Sequence, residues 1–255
     1  MRSVQDEWWC ITQIDHARLA GLLVAAWRWE QAPPSPSTMR AVTFHDVGWY
    51  DDDARPEWNP ASGGPYGFSE LPFHPRRLQA HRRAIDWMTG LDPYAGYLLS
   101  RHRTGLRRGR YGATPSHQRA GRAITAEEEA FLEAEERRQA DLVRTWGWEP
   151  RRLEADYRLL QVADLWSMYL CLGAPQPTQV VTAGPVGEWE TFALRLEPGP
   201  HGEVAVSPWP FERPRLTVPI WTRRLPKAEV RSAETLEACF YAAVPEVVEM
   251  PLRPA

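Results

Sequence analysis

Residues 158–172 read RLLQVADLWSMYLCL, an almost wholly apolar run with one carboxylate, Asp164, near its middle. The run is too long for a strand and has the apolar spacing of a buried helix. Leu160, Gln161, Asp164 and Met168 share one of its faces. An ionised carboxylate in an apolar interior costs several kcal/mol, as an order of magnitude, unless it is paired or coordinated. No arginine stands at helical spacing to pair with it, since Arg158 is six residues back on another side. Asp164 therefore needs a partner from elsewhere in the chain.

Three further helical segments each carry a polar residue on an apolar face. In ITQIDHARLAGLLVAAWRWE (11–30), His16 is in register with Ala20, Leu23 and Trp27. PPSPS (33–37) is a break, and Ser37 or Thr38 is the expected N-cap of a second helix running to about Trp49. His45 and Asp46 follow Ala41, Val42 and Phe44 at its end, just before Gly48. Helices are expected again over 75–90, 92–107, 125–146 and 150–173, the third of these opening with TAEEE, a capped and acidic first turn. Within 92–107, His102 lines up with Ala95, Leu98, Leu99 and Leu106.

A lone inward histidine is ordinarily a hydrogen-bonded core residue, and a His-Asp dipeptide is common by chance. The ordered set is less easily accidental. His16, His45, Asp46, His102 and Asp164 all face inward, and they come from four separate helices. That pattern points to a metal site. Imidazole nitrogen with carboxylate oxygen suits a divalent ion such as Mn, Fe or Zn; one ion is expected, and a second is left open.

The rest of the chain frames this site. Residues 51–75 are dense in Pro, Gly and Asp and read as a long loop rimming the pocket, with Asp51, Asp52 and Asp53 as a solvated turn rather than ligands. Trp49 and Trp58, two of 13 tryptophans, are placed to line a cleft. Residues 186–225 alternate polar and apolar, which reads as short antiparallel strands; a helix capped by Ser232 (232–243) and a strand near 246–252 follow. The expected fold is mainly α, a helical bundle with a small C-terminal antiparallel β-rich segment (α+β). Residues 1–175 form the body and 176–255 the β-rich part packed on it.

Composition is that of a globular domain: 43% hydrophobic, 25% charged and a net charge of -3, which gives no reason to expect nucleic acid or an anionic membrane. Cys10, Cys171 and Cys239 are odd in number and far apart, so they read as free thiols in a reducing compartment. The N-terminus lacks the basic start and apolar run of a signal peptide, and no segment is long enough to span a bilayer. A cytoplasmic monomer or homodimer is expected.

The order His16, His45-Asp46, Asp164 resembles the HD-domain superfamily of metal-dependent phosphohydrolases, and His45-Asp46-Val47-Gly48 is similar to its HD-x-G stretch. IDHARLAGLLVAAW (14–27), FHDVGW (44–49), LLSRH (98–102) and LLQVADLWSMYLCL (159–172) also resemble a mostly bacterial family known only as domain of unknown function 3891. That second likeness covers most of the chain, the first only the helical body. The HD likeness implies an HD-type bundle whose His16, His45, Asp46 and Asp164 hold the ion, with Asp46 orienting or deprotonating a water. Trp49 stands where many HD enzymes carry a lysine, so that residue's phosphate-contacting role is absent. Two-metal members need two more histidines; His102 is the better candidate, with His81 or His74 for the other.

The implied chemistry is hydrolysis of a small phosphorylated, nucleotide-like substrate by activated water. Asp46 and His102 are then the catalytic pair, with Gln161 as an outer orienting residue. Arg101, Arg103, Arg107 and Arg108 are nearby cations, most of them expected to face solvent. Two other readings compete: an HD-type di-iron oxygenase, and a non-enzymatic HD-like body that binds a ligand or partner.

Overall fold

The computed structural model describes residues 1–30, 33–67, 70–111, 123–182, 184–186 and 189–255. The chain begins with a β-hairpin, β1 (Arg2–Val4) and β2 (Glu7–Cys10), turned at Gln5, whose φ is 47°. Helix α1 (Gln13–Ala26) follows, its N-terminus closed by the Thr12 hydroxyl on the Asp15 amide. Helix α2 (Pro36–Phe44) starts two or three residues earlier than the Ser37 or Thr38 cap would give. Ser35 is the cap, and Pro36 supplies the preset φ of a first helical position. It also ends earlier than Trp49: His45 is its C-cap, and a 3-10 turn (Val47–Trp49) leads into the short helix α3 (Tyr50–Ala54).

The DDD triplet is therefore helical. Asp51 pairs with Arg83 and Asp52 with Arg77, while Asp53 accepts the Gln13 and Ile14 amides at the start of α1. Burial pushes the Asp53 carboxyl up to about 7, against those two hydrogen bonds. After α3 come the two-residue strands β3 (Trp58–Asn59) and β4 (Gly64–Pro65), so the expected 51–75 loop carries structure of its own. Positions 68 and 69 of that loop lie outside the described residues.

Four long helices complete the helical layer. They are α4 (Pro75–Leu91), α5 (Pro93–Arg107), α6 (Ala126–Trp146) and α7 (Pro150–Cys171), capped by His74, Asp92, Thr125 and Glu149. Proline opens three of them. None of the helices is long and apolar enough to cross a membrane, among the described residues.

The second half is built from β5 (Thr178–Thr182), β6 (Phe192–Pro198), β7 (Val204–Ser207), β8 (Leu216–Pro226), α8 (Ala233–Ala242) and β9 (Glu246–Pro254). Ser232 caps α8 in a capping box with Thr235. Positions 187 and 188, within the alternating 186–225 stretch, lie outside the described residues.

The strands form one curled seven-stranded sheet, ordered β1-β2-β8-β9-β7-β6-β5. The expectation of a mainly α, HD-type bundle with a small antiparallel β segment is overturned: close to half the chain is helical, the sheet is large, and the fold is α/β. Two features account for the difference. The N-terminal hairpin joins the sheet through β2, where Trp8 pairs with Leu225 and Cys10 with Arg223. The sheet is also mixed, because β9 runs antiparallel to β8 but parallel to β7.

Strand periodicity explains how the sheet is buried on both faces. Phe192, Leu194 and Leu196 of β6, with Val218 and Ile220 of β8, join the main core of α1, α2, α5 and α7. Leu225 is an odd number of residues from Ile220 and so points to the opposite face. There it packs with Cys10, Val230, Leu236 and Phe240 beneath α8.

Candidate metal centre

Four elements deliver the polar cluster. His16 comes from the second turn of α1, His45 from the C-cap of α2, Asp46 from the residue after it, and Asp164 from the middle of α7. All four are buried, as is His102 of α5. The His16 Nε2 atom lies 3.1 Å from His45 Nε2, 3.1 Å from Asp164 Oδ1 and 3.5 Å from Asp46 Oδ2. His45 Nε2 is 3.4 Å from Asp164 Oδ1 and 3.8 Å from Asp46 Oδ2. The other Asp46 oxygen, Oδ1, is 3.4 Å from His102 Nε2. His45 is thus common to two groups, His16–His45–Asp164 and His45–Asp46–His102, each able to hold a metal ion.

The outer hydrogen bonds decide which ring nitrogens carry protons. His45 Nδ1 lies 2.8 Å from the Val42 carbonyl, which can only accept, so Nδ1 is the N–H and Nε2 presents a lone pair. Ser167 gives its hydroxyl proton to the Asp164 carbonyl at 2.9 Å, so its oxygen accepts from His16 Nδ1 at 2.8 Å. His16 Nε2 is then also a lone pair. Two imidazole lone pairs and two carboxylate oxygens face one another with no donor among them. Neither Asp46 nor Asp164 has an arginine or lysine partner among the described residues.

Such a ring of acceptors is stable only around a positive charge. A proton is one source: burial alone would depress the His16 imidazole, but hydrogen bonds and charge from Asp164 and Asp46 push it up to about 9. Against their own burial, Asp164 is held well below the usual carboxylate range by His16 and His45, and Asp46 by His45, His102 and His16. A divalent ion is the other source, and the spacing suits it. Ligand atoms about 2.1 Å from one ion stand about 3.0 Å apart at right angles and about 3.4 Å apart at tetrahedral angles.

Beside the cluster lies a small cavity of about 10 Å³ lined by His45, Asp46, Gly48, His81, Ile85, His102 and Arg103, among others. His81 Nε2 and His102 Nδ1 are buried without a hydrogen-bond partner among the described residues. Burial and the nearby Arg103 hold the His81 imidazole well below its ordinary value, so it stays neutral. Trp49 stands edge-on to His81 at 5.2 Å, with Arg103 over its indole at 5.8 Å. Gly48 is obligatory against this wall, because a Cβ there would lie 2.2 Å from His81 Nδ1.

The other sequence candidates are accounted for elsewhere. His74 caps α4 by accepting the Arg76 amide, so of the two alternatives it is His81 that lies by the cluster. Gln161 accepts from Arg158 instead of orienting a ligand. Arg101 pairs with Glu154, Arg107 with Glu128, and Arg108 with Glu129 and Glu136. Trp58 is half-buried in β3 and packs in the small cluster beneath α8.

Sequence reasoning missed Tyr111. Its hydroxyl donates to Asp164 Oδ2, and its ring lies 5.6 Å from His102. Burial and the adjacent Asp164 charge raise its phenol well above the usual value. The residue stands outside any helix, so no periodicity marks it.

Residues 1–227 match the model of a family described as protein of unknown function (DUF3891). The chain belongs to that family. The DUF3891 match covers the whole helical layer, both hairpin strands and all of β8. No curated protein and no solved structure is significantly similar to the chain.

Proposed function

We propose that this DUF3891 member is a metal-dependent hydrolase acting on a phosphate ester or nucleotide-like substrate. The observation that carries the reading is the convergence of His16 Nε2, His45 Nε2, Asp46 Oδ2 and Asp164 Oδ1, all acceptors, in a buried site. The order of these residues along the chain is also that of the HD-type enzymes. The four would hold one ion, with Mn, Fe and Zn as the fitting metals. When bound, such an ion supplies an acidified water at neutral pH and polarises a phosphoryl oxygen.

The chain's own residues supply the rest. Val42 and Ser167 fix the imidazole tautomers, so both nitrogens face the site without rearrangement. Asp46 turns one oxygen to the ion site and the other to His102, which places His102 Nε2 to take or return a proton at Asp46 Oδ1. His102 and Arg103, lining the small cavity beside the ion site, put a polar and a cationic side chain next to where an anionic substrate would approach. Trp49 packs edge-on against His81 and so holds one of the lining rings in place.

Metal analysis of the purified protein, with assays on a generic phosphomonoester and phosphodiester, tests this. About one Mn, Fe or Zn per chain and hydrolysis lost in His16→Ala and Asp164→Ala are expected. A protein that neither carries nor binds a divalent ion would refute it. A second reading, an HD-type di-iron oxygenase, draws on His81 and His102 sharing the small cavity with Asp46. Two irons per chain and no phosphatase activity would favour it.

A further inference from the structure

We propose that Tyr111 is a positioning residue for the metal centre, holding Asp164 to ligation through one oxygen. The inference rests on the metal reading above and adds a residue that neither the helix pattern nor the family match marks. The two oxygens of Asp164 have separate surroundings. Oδ1 lies 3.1 Å from His16 Nε2 and 3.4 Å from His45 Nε2, whereas Oδ2 receives the Tyr111 hydroxyl. A carboxylate whose second oxygen is engaged this way cannot turn to chelate with both, and its plane is fixed.

The donor is itself well held. Tyr111 is 1% exposed, with its ring edge-on to His102 at 5.6 Å and to Tyr157 at 6.4 Å. Tyr157 is anchored in turn by its hydroxyl on the Arg101 carbonyl at 3.0 Å. Tyr111 therefore touches a residue from each metal-binding group, Asp164 of one and His102 of the other. It completes a set in which Val42 orients His45 and Ser167 orients His16.

Chelator-competition titrations with Mn(II) and Zn(II) on wild-type protein, Tyr111→Phe and Tyr157→Phe test the proposal. Tyr111→Phe removes one oxygen from a buried ring and should keep the stoichiometry while weakening affinity about 10- to 100-fold. Tyr157→Phe, which keeps its ring against Tyr111 and removes no hydrogen bond to Asp164, should weaken affinity far less than Tyr111→Phe, by under about threefold, and an equal loss in both would overturn the proposal. Equal affinity in Tyr111→Phe and wild type overturns the role of Tyr111 and leaves the metal reading standing. Failure of the wild type to bind either ion overturns both. An independent check needs no variant. Ferric-loaded wild type should lack a phenolate charge-transfer band, and an intense visible band would put the Tyr111 oxygen on the ion itself and overturn the proposal.

Discussion

Helix α7 buries two carboxylates eight residues apart, Asp156 and Asp164, and neutralises them in opposite ways. Asp156 Oδ2 accepts from the Thr38 hydroxyl at 3.0 Å, the Tyr94 hydroxyl at 2.7 Å and Arg152 Nε at 2.8 Å. Every group facing it is a donor, so the site is complete as it stands. Asp164 has one such donor, Tyr111, and its other oxygen faces imidazole nitrogens whose protons are directed away. Burial does not separate a structural acid from a ligand. The inventory of donors and acceptors around it does.

The largest effect that could break this contrast is on metal binding. Asp164→Asn and His45→Ala should abolish metal retention, read by metal analysis after gel filtration, whereas Asp156→Asn should retain a full complement. Without metal, Asp164→Asn should stay within about 1 kcal/mol of wild type, since an amide donates to the facing lone pairs. Retention of metal by Asp164→Asn would erase the distinction between the two acids.

Stability should show the reverse ranking. Asp156→Ala strands the Thr38 and Tyr94 hydroxyls and should lower stability by about 2–3 kcal/mol. In a chain of this length that is a Tm lower by roughly 4–12 °C, measurable by calorimetry. A fall of less than 1 °C would mean that the donors around Asp156 find other partners.

The pH dependence sharpens the contrast further. In metal-free protein the folded-state value of His16 is raised to about 9, above the ordinary 6.5. Its contribution is complete below pH 6.5 and is lost as pH rises through 9. Asp164 and Asp46 are depressed, so theirs is present above the ordinary carboxylate value and lost as pH falls below it. Urea midpoints of metal-free protein should therefore decline from pH 6.5 to 9, and saturating Mn(II) or Zn(II), which replaces the proton, should flatten that decline. A metal-free profile level over this window would remove His16 as the protonated partner.

The smallest effect belongs to the surface. Asp51→Ala breaks only the exposed pair with Arg83 and should change stability by no more than about 0.5 kcal/mol, with metal content unchanged. Loss of metal in that variant would return the acidic triplet to the site.

What could be read from the sequence was local. Thr125 and Ser232 declare their helices because a cap bonds amides two or three residues away. His16, His102 and Asp164 declare their inward faces because helical periodicity is a short-range signal. The sheet was obscured for the opposite reason. EWWC at β2 has no clean alternation, and it becomes a strand by pairing with Glu7 opposite Pro226, more than two hundred residues away. The parallel pairing of β7 with β9, Val204 opposite Leu252, is closer in the chain but still beyond any local signal. Tyr111 falls between these cases: it follows α5 without a helical register and acquires its role only where α7 passes. His74 caps α4 and His81 lies within it, and only the packing of α4 against Gly48 selects His81.

The distant closure of the sheet bears on how the protein comes into being. Helix α1 carries His16 directly after a hairpin whose pairing partner, residues 223–226 of β8, is synthesised long after it. Long-range pairings of this kind form late, since the loop they close must first be ordered. A nascent chain has released all four proposed ligands, through Asp164, before β8 exists to seat the element bearing the first of them. On the metal reading, loading would then follow the closing of this edge, and the ion would add stability to a fold already formed.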